Sequence, residues 1–508
     1  MSNFIPSAHQ QAIFTYIEEG AGSLMVQAAA GAGKTTTIVQ AMKRIRGSAI
    51  YLVFAKRNQE EAEERLKGST VKARTMNSLG NQALGKVLGR TTLKANKVYL
   101  CWRNVGDALR ISREDSQRLY PAIRQLVELA RQEGVGILCP DQPDTWFRLM
   151  DTHGIQVLDP AGRDESRRVA ALASKTLAEG VTMAKRQKVI DFGDQLYLSI
   201  HPDFAARFEV FDWVFVDEVQ DLSPVQVEIV ACLAARTRPT RFVFVGDRWQ
   251  AIYGWRGAMT SAMDDIKERF NCAELPLSVC WRCDTAIVAL AASYGAPIEP
   301  APGKAPGQVI THEDGPFAVP DGVTVLCRVT APLVRGCFSL LRQGRPAVVL
   351  GKDIGANMVA LVKAQREDEI PAMRDKLGAW AAREIEDARA DGRDTKISSI
   401  EDKVAAIDVM IEGLPGDATV ADLCDAIHAL FADDDPATAA RRVTFSTIHK
   451  AKGLEWDTVV WLDPERTCGG TAGWQAQQEL HCKYVAATRA RHTLHLVPSA
   501  ALALPQAA

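Results

Sequence analysis

Ten residues near the start constrain the fold of this chain more than anything else in it: Gln27-Ala-Ala-Ala-Gly-Ala-Gly-Lys-Thr-Thr36. An apolar run, SLMVQ, leads in, and a helical pattern, TTTIVQAMKRI, leads out. Strand, glycine-rich turn and helix together let backbone N–H groups wrap a phosphate. Gly31 and Gly33 allow close backbone approach across Ala30–Thr36. Lys34 can reach β- and γ-phosphates, the Thr35 hydroxyl can ligate Mg²⁺, and the helix N-terminus adds its dipole. The strict pattern asks for glycine where Ala28 stands, so an Ala/Gly turn that merely precedes a lysine is the competing reading.

A phosphate loop of this kind belongs to an α/β fold with parallel sheets, and the remaining apolar runs agree. Runs at 23–27, 49–54, 213–217, 242–246, 323–327, 347–350, 443–446, 458–462 and 493–497 read as buried strands, several followed by helical patterns. Residues 81–190 and 355–438 read mainly as helix. The expected organisation is an α/β core built from 1–80 and 191–275, interrupted by a helical insertion at 81–190. A second α/β core from 276–354 and 439–508 is interrupted by a shorter insertion at 355–438. The segment 296–307, APIEPAPGKAPG, is an exposed connection.

The chain has 508 residues, with 60 basic against 62 acidic side chains, so net charge decides nothing about partners. Local charge is more telling. Residues 65–106 carry nine Lys/Arg and no acid, which suggests a polyanion surface, the alternative being a solvated face paired by acids from elsewhere. Residues 401–436 carry ten acids and one base, Lys403, and are expected to form a solvated helical face. No apolar run reaches the ~18 residues of a membrane span. The N-terminus lacks a signal-peptide layout, and the 11 scattered cysteines suggest no disulfide framework, so a cytoplasmic setting is expected. Cys280 and Cys283 form the one CxxC, without a second pair at zinc spacing.

Further motifs carry chemistry. In VFVDEVQD, residues 214–221, a buried strand runs into Asp217 and Glu218. One carboxylate can hold Mg²⁺ and the other can polarise an attacking water. In 242–257, FVFVGDRWQAIYGWRG, Gln250 offers a neutral amide to a γ-phosphate, while Tyr253, Trp255 and Arg256 can stack on unpaired bases. Trp255 taken alone would more simply be core. Arg282, in LPLSVCWRC, and Arg489, in YVAATRA, follow apolar runs and could stabilise transition-state charge, although either in isolation reads first as a structural ion pair. The loop after 443–446 brings His449, Lys450, Lys452 and Gly453, suited to a phosphate backbone.

In this order and spacing, GAGKT, DEVQD, GDRWQAIYGWRGA, THKAKGLEW-like and YVAATRA segments resemble the UvrD/Rep-type superfamily 1 DNA helicases. The resemblance implies two RecA-like domains that bind ATP with Mg²⁺ and move along single-stranded DNA, with 3′→5′ polarity and activity at single-strand/duplex junctions. A translocase that strips bound proteins and unwinds little is the alternative. By the same resemblance Gln10 reads adenine, Trp281 stacks on it where tyrosine is usual, and Glu455 contacts ribose. Lys34, Thr35 and Asp217 handle phosphate and Mg²⁺, Glu218 activates water, Gln250 senses the γ-phosphate, and Arg282 and Arg489 are arginine fingers. Phe54, Thr75, Asn77 (in place of histidine), Tyr253, Trp255, Arg256, His449 and Lys450 would contact DNA. Both insertions are shorter than in the best-known members. DNA repair, replication or recombination is the implied setting, with no membrane partner.

Overall fold

The computed structural model describes residues 4–53, 56–153, 155, 157, 164–204, 206–234, 239–252, 262–313, 315–390, 394–432, 441–468 and 473–502. The chain divides into two units, Met1–Ala28 with Gly33–Leu277, and Ala29–Ala32 with Ser278–Ala508.

Among the described residues, the first unit is built on a 6-stranded parallel sheet: β1 (Ser23–Ala28), β2 (Ala49–Val53), β3 (Val71–Thr75), β4 (Trp213–Val216), β5 (Arg241–Gly246) and β6 (Cys272–Leu277). Their order is β3-β2-β4-β5-β1-β6. β2 and β4 are buried along their whole length, as continuous Val/Ile/Phe runs require when helices cover both faces. The helices are α1 (Ala8–Glu19), α2 (Lys34–Met42), α3 (Lys56–Arg65), α4 (Met76–Leu88), α5 (Lys97–Ala108), α6 (Arg113–Glu133), α7 (Pro143–His153), α8 (Ser166–Gln187), α9 (Phe192–Tyr197), α10 (Pro224–Ala231) and α11 (Ala262–Arg269).

α5–α8 bury a core of their own, which includes Trp102, Leu119, Ile123, Leu126, Trp146 and Leu177. That core is separate from the one under the sheet, where Ile50, Val214, Val216 and Phe244 meet. The excursion starts and ends on one short parallel ladder, Thr92–Leu93 against Val189–Ile190. Beside this neck lies a buried ion cluster. The Lys97 ammonium pairs with Asp194 and donates to the Gly180 carbonyl at 2.7 Å. Arg131 donates to both carboxylate oxygens of Asp191, at 2.9 and 2.8 Å, and reaches Asp194 at 3.3 Å. Asp191 and Asp194 also form the capping box of α9. The cluster therefore sets where α9 begins.

The basic stretch 65–106 is largely neutralised from within its own unit. Arg65, Lys67, Lys72 and Arg74 pair with Glu61, Glu64, Glu209 and Glu63, and Lys97 is the buried member above. Composition left a polyanion surface and a paired, solvated face both open; five of the nine cations have protein carboxylates as partners, three of them from Glu61, Glu63 and Glu64 just before the run and two from Asp194 and Glu209 far along the chain.

The second unit holds a 7-stranded parallel sheet among the described residues: β7 (Gln308–Thr311), β8 (Thr324–Cys327), β9 (Ala347–Leu350), β10 (Phe431–Ala432), β11 (Val443–Thr447), β12 (Trp456–Leu462) and β13 (Ala490–Val497). The order is β7-β13-β12-β8-β11-β9-β10. Its helices are α12 (Thr285–Ser293), α13 (Ala331–Arg342), α14 (Lys352–Ala364), α15 (Ile370–Ala390), α16 (Asp394–Glu412), α17 (Val420–Leu430) and α18 (Trp474–Ala487). α14–α17 fill the second helical stretch, yet they share one core with the sheet: Met358, Val362, Met373, Ile407 and Leu423 cluster with Val325, Val349 and Phe445. The acids of this stretch are not all on a solvated face: Asp402 accepts from the Thr330 and Ala331 N–H groups at the head of α13, and half-buried Asp408 pairs with Arg374, while exposed Asp422 completes a capping box on α17. Among the described residues no helix is long and apolar enough to cross a membrane.

Removing one partner of a buried ion pair leaves an uncompensated charge. Lys97→Ala is expected to destabilise the first unit by about 3–5 kcal/mol, read as a lowered urea midpoint against wild type.

Candidate nucleotide site

Three adjacent strands of the first sheet, β4, β5 and β1, deliver their C-terminal loops side by side. Ligands of open α/β sheets bind at this edge. After β1 the chain turns through Gly31 and Gly33, with φ of 68° and 79°, a left-handed backbone in which a Cβ would be strained. Lys34 then opens α2, so its side chain stands at the positive end of the helix.

β4 ends at Val216, which puts Asp217 and Glu218 on the following turn. Glu218 has φ 52°, a left-handed conformation that a non-glycine residue adopts at a cost and that is typical of functional turns. Lys34 Nζ lies 2.9 Å from Glu218 Oε1 and 3.0 Å from Oε2. Asp217 accepts from the Tyr51 hydroxyl at 2.9 Å and from the Glu218 N–H at 2.9 Å. Burial and the neighbouring Glu218 charge push the Asp217 carboxyl up to about 6, with Lys34 opposing them. Burial works against the charge of Lys34, but Glu218, Asp217 and Asp247 outweigh it and hold the ammonium above its usual range.

A relay leads on from Glu218. Gln220 Nε2 donates to Glu218 Oε2 at 2.6 Å, and Gln220 Oε1 accepts from the Asp247 N–H at 3.1 Å. Asp247, at the end of β5, in turn accepts from Gln250 Nε2 at 2.7 Å. Gly246 makes room for this: a Cβ there would sit 2.6 Å from Gln220 Oε1. Gln250, expected as the phosphate sensor, is thus tied to the expected water-activating residue through Gln220. Sequence reading missed Gln220 and Tyr51. The first sits inside the DEVQD string as a polar residue next to two acids, and the second hides in an apolar strand.

Adjacent half-buried carboxylates with one lysine form a donor set short of positive charge. Together with the Thr35 position, this is the hard-oxygen chemistry a Mg²⁺–nucleotide requires. Gln10 is buried in the Ser7 capping box and donates from Nε2 to Thr37 Oγ1 at 3.0 Å, so its amide is anchored against α2.

Thr75 caps α4, accepting from the Ser78 N–H at 3.2 Å. Asn77 donates to the Phe192 carbonyl at 2.8 Å and to Gln195 Oε1 at 3.1 Å. It thereby fixes the head of α9, where the Phe192 ring is 58% exposed. An exposed aromatic on a pinned turn is a base-stacking candidate that sequence reading missed, because Phe192 lies in no recognised string. A cavity of about 100 Å³, lined in part by Asp217, Asn77 and Gln226, lies between these groups and the carboxylates. Phe54, Tyr253, Trp255 and Arg256 lie outside the described residues.

The second unit gathers the remaining candidates. Arg282 pairs with Glu455, and Arg491 donates to the same carboxylate at 2.8 Å. Burial alone would raise the Glu455 carboxyl, but Arg491 and Arg282 outweigh it and hold the group below its usual range. Arg489 is 1% exposed and bonds only neutral oxygens: Val485 O at 3.0 Å, Leu454 O at 2.9 Å and Thr488 Oγ1 at 3.1 Å. Burial, with Arg282 nearby, lowers it to about 10, which describes a buried cation in want of an anion. The Trp281 ring is 45% exposed. On the turn after β11, Lys450 is exposed and His449 half-buried.

Residues 8–271 match the model of the UvrD/REP helicase N-terminal domain, and residues 442–497 match that of the UvrD-like helicase C-terminal domain. The chain belongs to the UvrD/Rep helicase family. It is 27% identical to the ATP-dependent DNA helicase PcrA of Leuconostoc citreum over 47% of this chain and 32% of that protein. It is 27% identical to DNA helicase IV of Escherichia coli (strain K12) over 53% and 43%. With the ATP-dependent DNA helicase UvrD2 of Mycobacterium bovis the identity is 24% over 95% and 77%. The chain thus spans less than half the length of the first two relatives.

Asp217 titrates from about 6 in the fold against 3.8 unperturbed. A raised carboxyl stabilises the fold only where it is protonated, so this contribution is lost as pH rises from 3.8 through about 6. In buffer free of nucleotide and Mg²⁺, Asp217→Asn is expected to melt a few degrees above wild type at pH 7.5. The gap should close as pH falls toward 4 in parallel melting curves.

Proposed function

We propose that this chain hydrolyses ATP to move along single-stranded DNA and unwind the duplex ahead of it, with 3′→5′ polarity. The observation that carries the reading is the continuous chain of contacts from Lys34 through Glu218, Gln220 and Asp247 to Gln250, across three neighbouring loops of a parallel sheet. Family membership supports it, and so does the likeness to relatives that are DNA helicases.

In this reading Lys34 and the loop N–H groups hold the β- and γ-phosphates. Mg²⁺, held by Thr35 and Asp217, would supply charge neutralisation on the phosphate oxygens. Glu218 takes the proton of the attacking water, and Arg282 and Arg489 stabilise the charge that develops as the γ-phosphoryl departs. Gln250 is placed to register phosphate loss and pass it through Gln220 to the catalytic carboxylate. Thr75, Phe192, His449 and Lys450 supply strand contacts, with Tyr253, Trp255 and Arg256 from the motif that follows Gln250. Contact is mainly with phosphates and stacked bases, so binding should weaken steeply with salt and show little sequence preference.

Two measurements test this. Glu218→Gln is expected to lower ATP turnover by about 10²–10⁴-fold while leaving nucleotide affinity within a factor of a few; an unchanged turnover rate removes Glu218 from catalysis. Strand displacement on duplexes with a 3′ or a 5′ single-stranded tail, with wild type and Lys34→Ala, reads motor and polarity together. Unwinding of the 3′-tailed substrate alone, lost in the variant, is the expected outcome. DNA-stimulated ATPase without unwinding on either tail would make the chain a protein-stripping translocase instead.

A further inference from the structure

Trp281 and Arg282 are bracketed by Cys280 and Cys283, and both sulfurs are completely buried. The pair is held in one tight turn. Cys280 lies in a two-residue strand paired with Glu299–Pro300, and its carbonyl accepts from the Ala301 N–H at 3.1 Å. On the other side Asp284 is buried and bonded to His492 at 2.9 Å. The Cys283 N–H donates to Cys280 Sγ at 3.4 Å, and the two side chains are in hydrogen-bond contact. The Cys283 thiol also reaches the Thr488 carbonyl at 3.7 Å, and Arg282 Nη1 donates to that same carbonyl at 3.5 Å. Thr488 immediately precedes Arg489. The thiol pair therefore shares its immediate partners with both arginines.

We propose that Cys280 and Cys283 are a redox modification site: a small hydroperoxide converts them to a disulfide that displaces Arg282 and stops nucleotide turnover. Two further observations support this beyond the geometry. The Cys283 side chain donates to Cys280 and, against burial, the N–H groups of Cys283 and Arg282 add to it, so the Cys280 thiol is held below its ordinary range and the nucleophilic thiolate is favoured. Among the described residues no group of three His, Cys, Asp or Glu could hold a metal, so the pair is not part of such a site. Both sulfurs are closed to solvent, so a small oxidant reaches them through local opening of the turn.

The steps balance. The Cys280 thiolate attacks a peroxide oxygen; the S–O bond forms, the O–O bond breaks, and the departing hydroxide takes up the proton lost from the Cys280 thiol to become water. The Cys283 sulfur then attacks Cys280 Sγ and the sulfenic oxygen leaves as water, taking the Cys283 proton. Two thiols are oxidised by two electrons, and one peroxide is reduced to two waters. The disulfide closes a ring around Trp281 and Arg282 and removes the Cys283 thiol from the Thr488 carbonyl to which Arg282 Nη1 also donates.

The modification site itself stands on the turn; its effect on turnover rests on the proposed nucleotide role of Arg282. The test treats the full chain with graded hydrogen peroxide, quenches with catalase, and maps cysteines by alkylation and mass spectrometry alongside DNA-stimulated ATPase. The expected result is a 280–283 disulfide that rises with an at least tenfold loss of ATPase, with both reversed by dithiothreitol. Cys280→Ser with Cys283→Ser should keep its activity through the same treatment, as should Cys283→Ala if the double variant folds poorly. Absence of the disulfide, a disulfide with unchanged ATPase, or equal loss in the variants overturns the proposal. If the reduced protein has no ATPase at all, the motor reading fails instead. The mapping then decides the site alone: a 280–283 disulfide upholds it and its absence rejects it.

Discussion

Lys34 facing Glu218 and Asp217 is the contact on which the rest of the first unit is arranged. Three ionisable groups sit together, half-buried, at the edge of a parallel sheet. Such a grouping costs free energy unless its charges are closely matched. Here they are matched imperfectly, with two carboxylates and one ammonium, and the raised Asp217 carboxyl is the physical expression of the mismatch. The sheet order makes the grouping unavoidable, since β1, β4 and β5 are neighbours and their loops have nowhere else to go. Glu218 accepts a left-handed backbone to face Lys34. The fold holds a strained, under-neutralised site in place with the apolar burial of the strands beneath it.

The second unit shows a complementary imbalance. Arg282, Arg491 and Glu455 form a compact group, while Arg489 is buried among neutral oxygens. A guanidinium cannot shed its proton at ordinary pH, so its burial without a carboxylate is a standing preference for an anion. Each unit taken by itself therefore carries charge of the sign that a Mg²⁺–nucleotide could satisfy.

Much of this was legible in the residues. Each of the nine apolar runs contains a strand of one of the two sheets, because central strands, covered on both faces, must be continuously apolar. Edge strands escaped for the same reason in reverse. β3 (VKART), β6 (CAELPL) and β7 (QVIT) carry charges, proline or polar residues that an edge tolerates and a central strand does not. Lys34, Asp217, Glu218 and Gln250 announced themselves because glycine-rich turns and strand-end acids have fixed spacing. Gln220 and Tyr51 did not, because a relay depends on which loops the sheet makes adjacent. Which cations of 65–106 have partners depends on the same adjacency, since Glu209 pairs with Lys72 across 137 residues of chain.

The neck of the first insertion has an evolutionary side. Thr92–Leu93 and Val189–Ile190 lie on one ladder, so the chain leaves and re-enters the α/β core at a single point. Whatever lies between them can lengthen, shorten or be exchanged without shifting the register of any strand that carries Lys34, Asp217 or Asp247. Such an arrangement separates the rate at which the inserted helices can diversify from the rate at which the phosphate-loop core can. A lineage can therefore rework one while the other stays fixed.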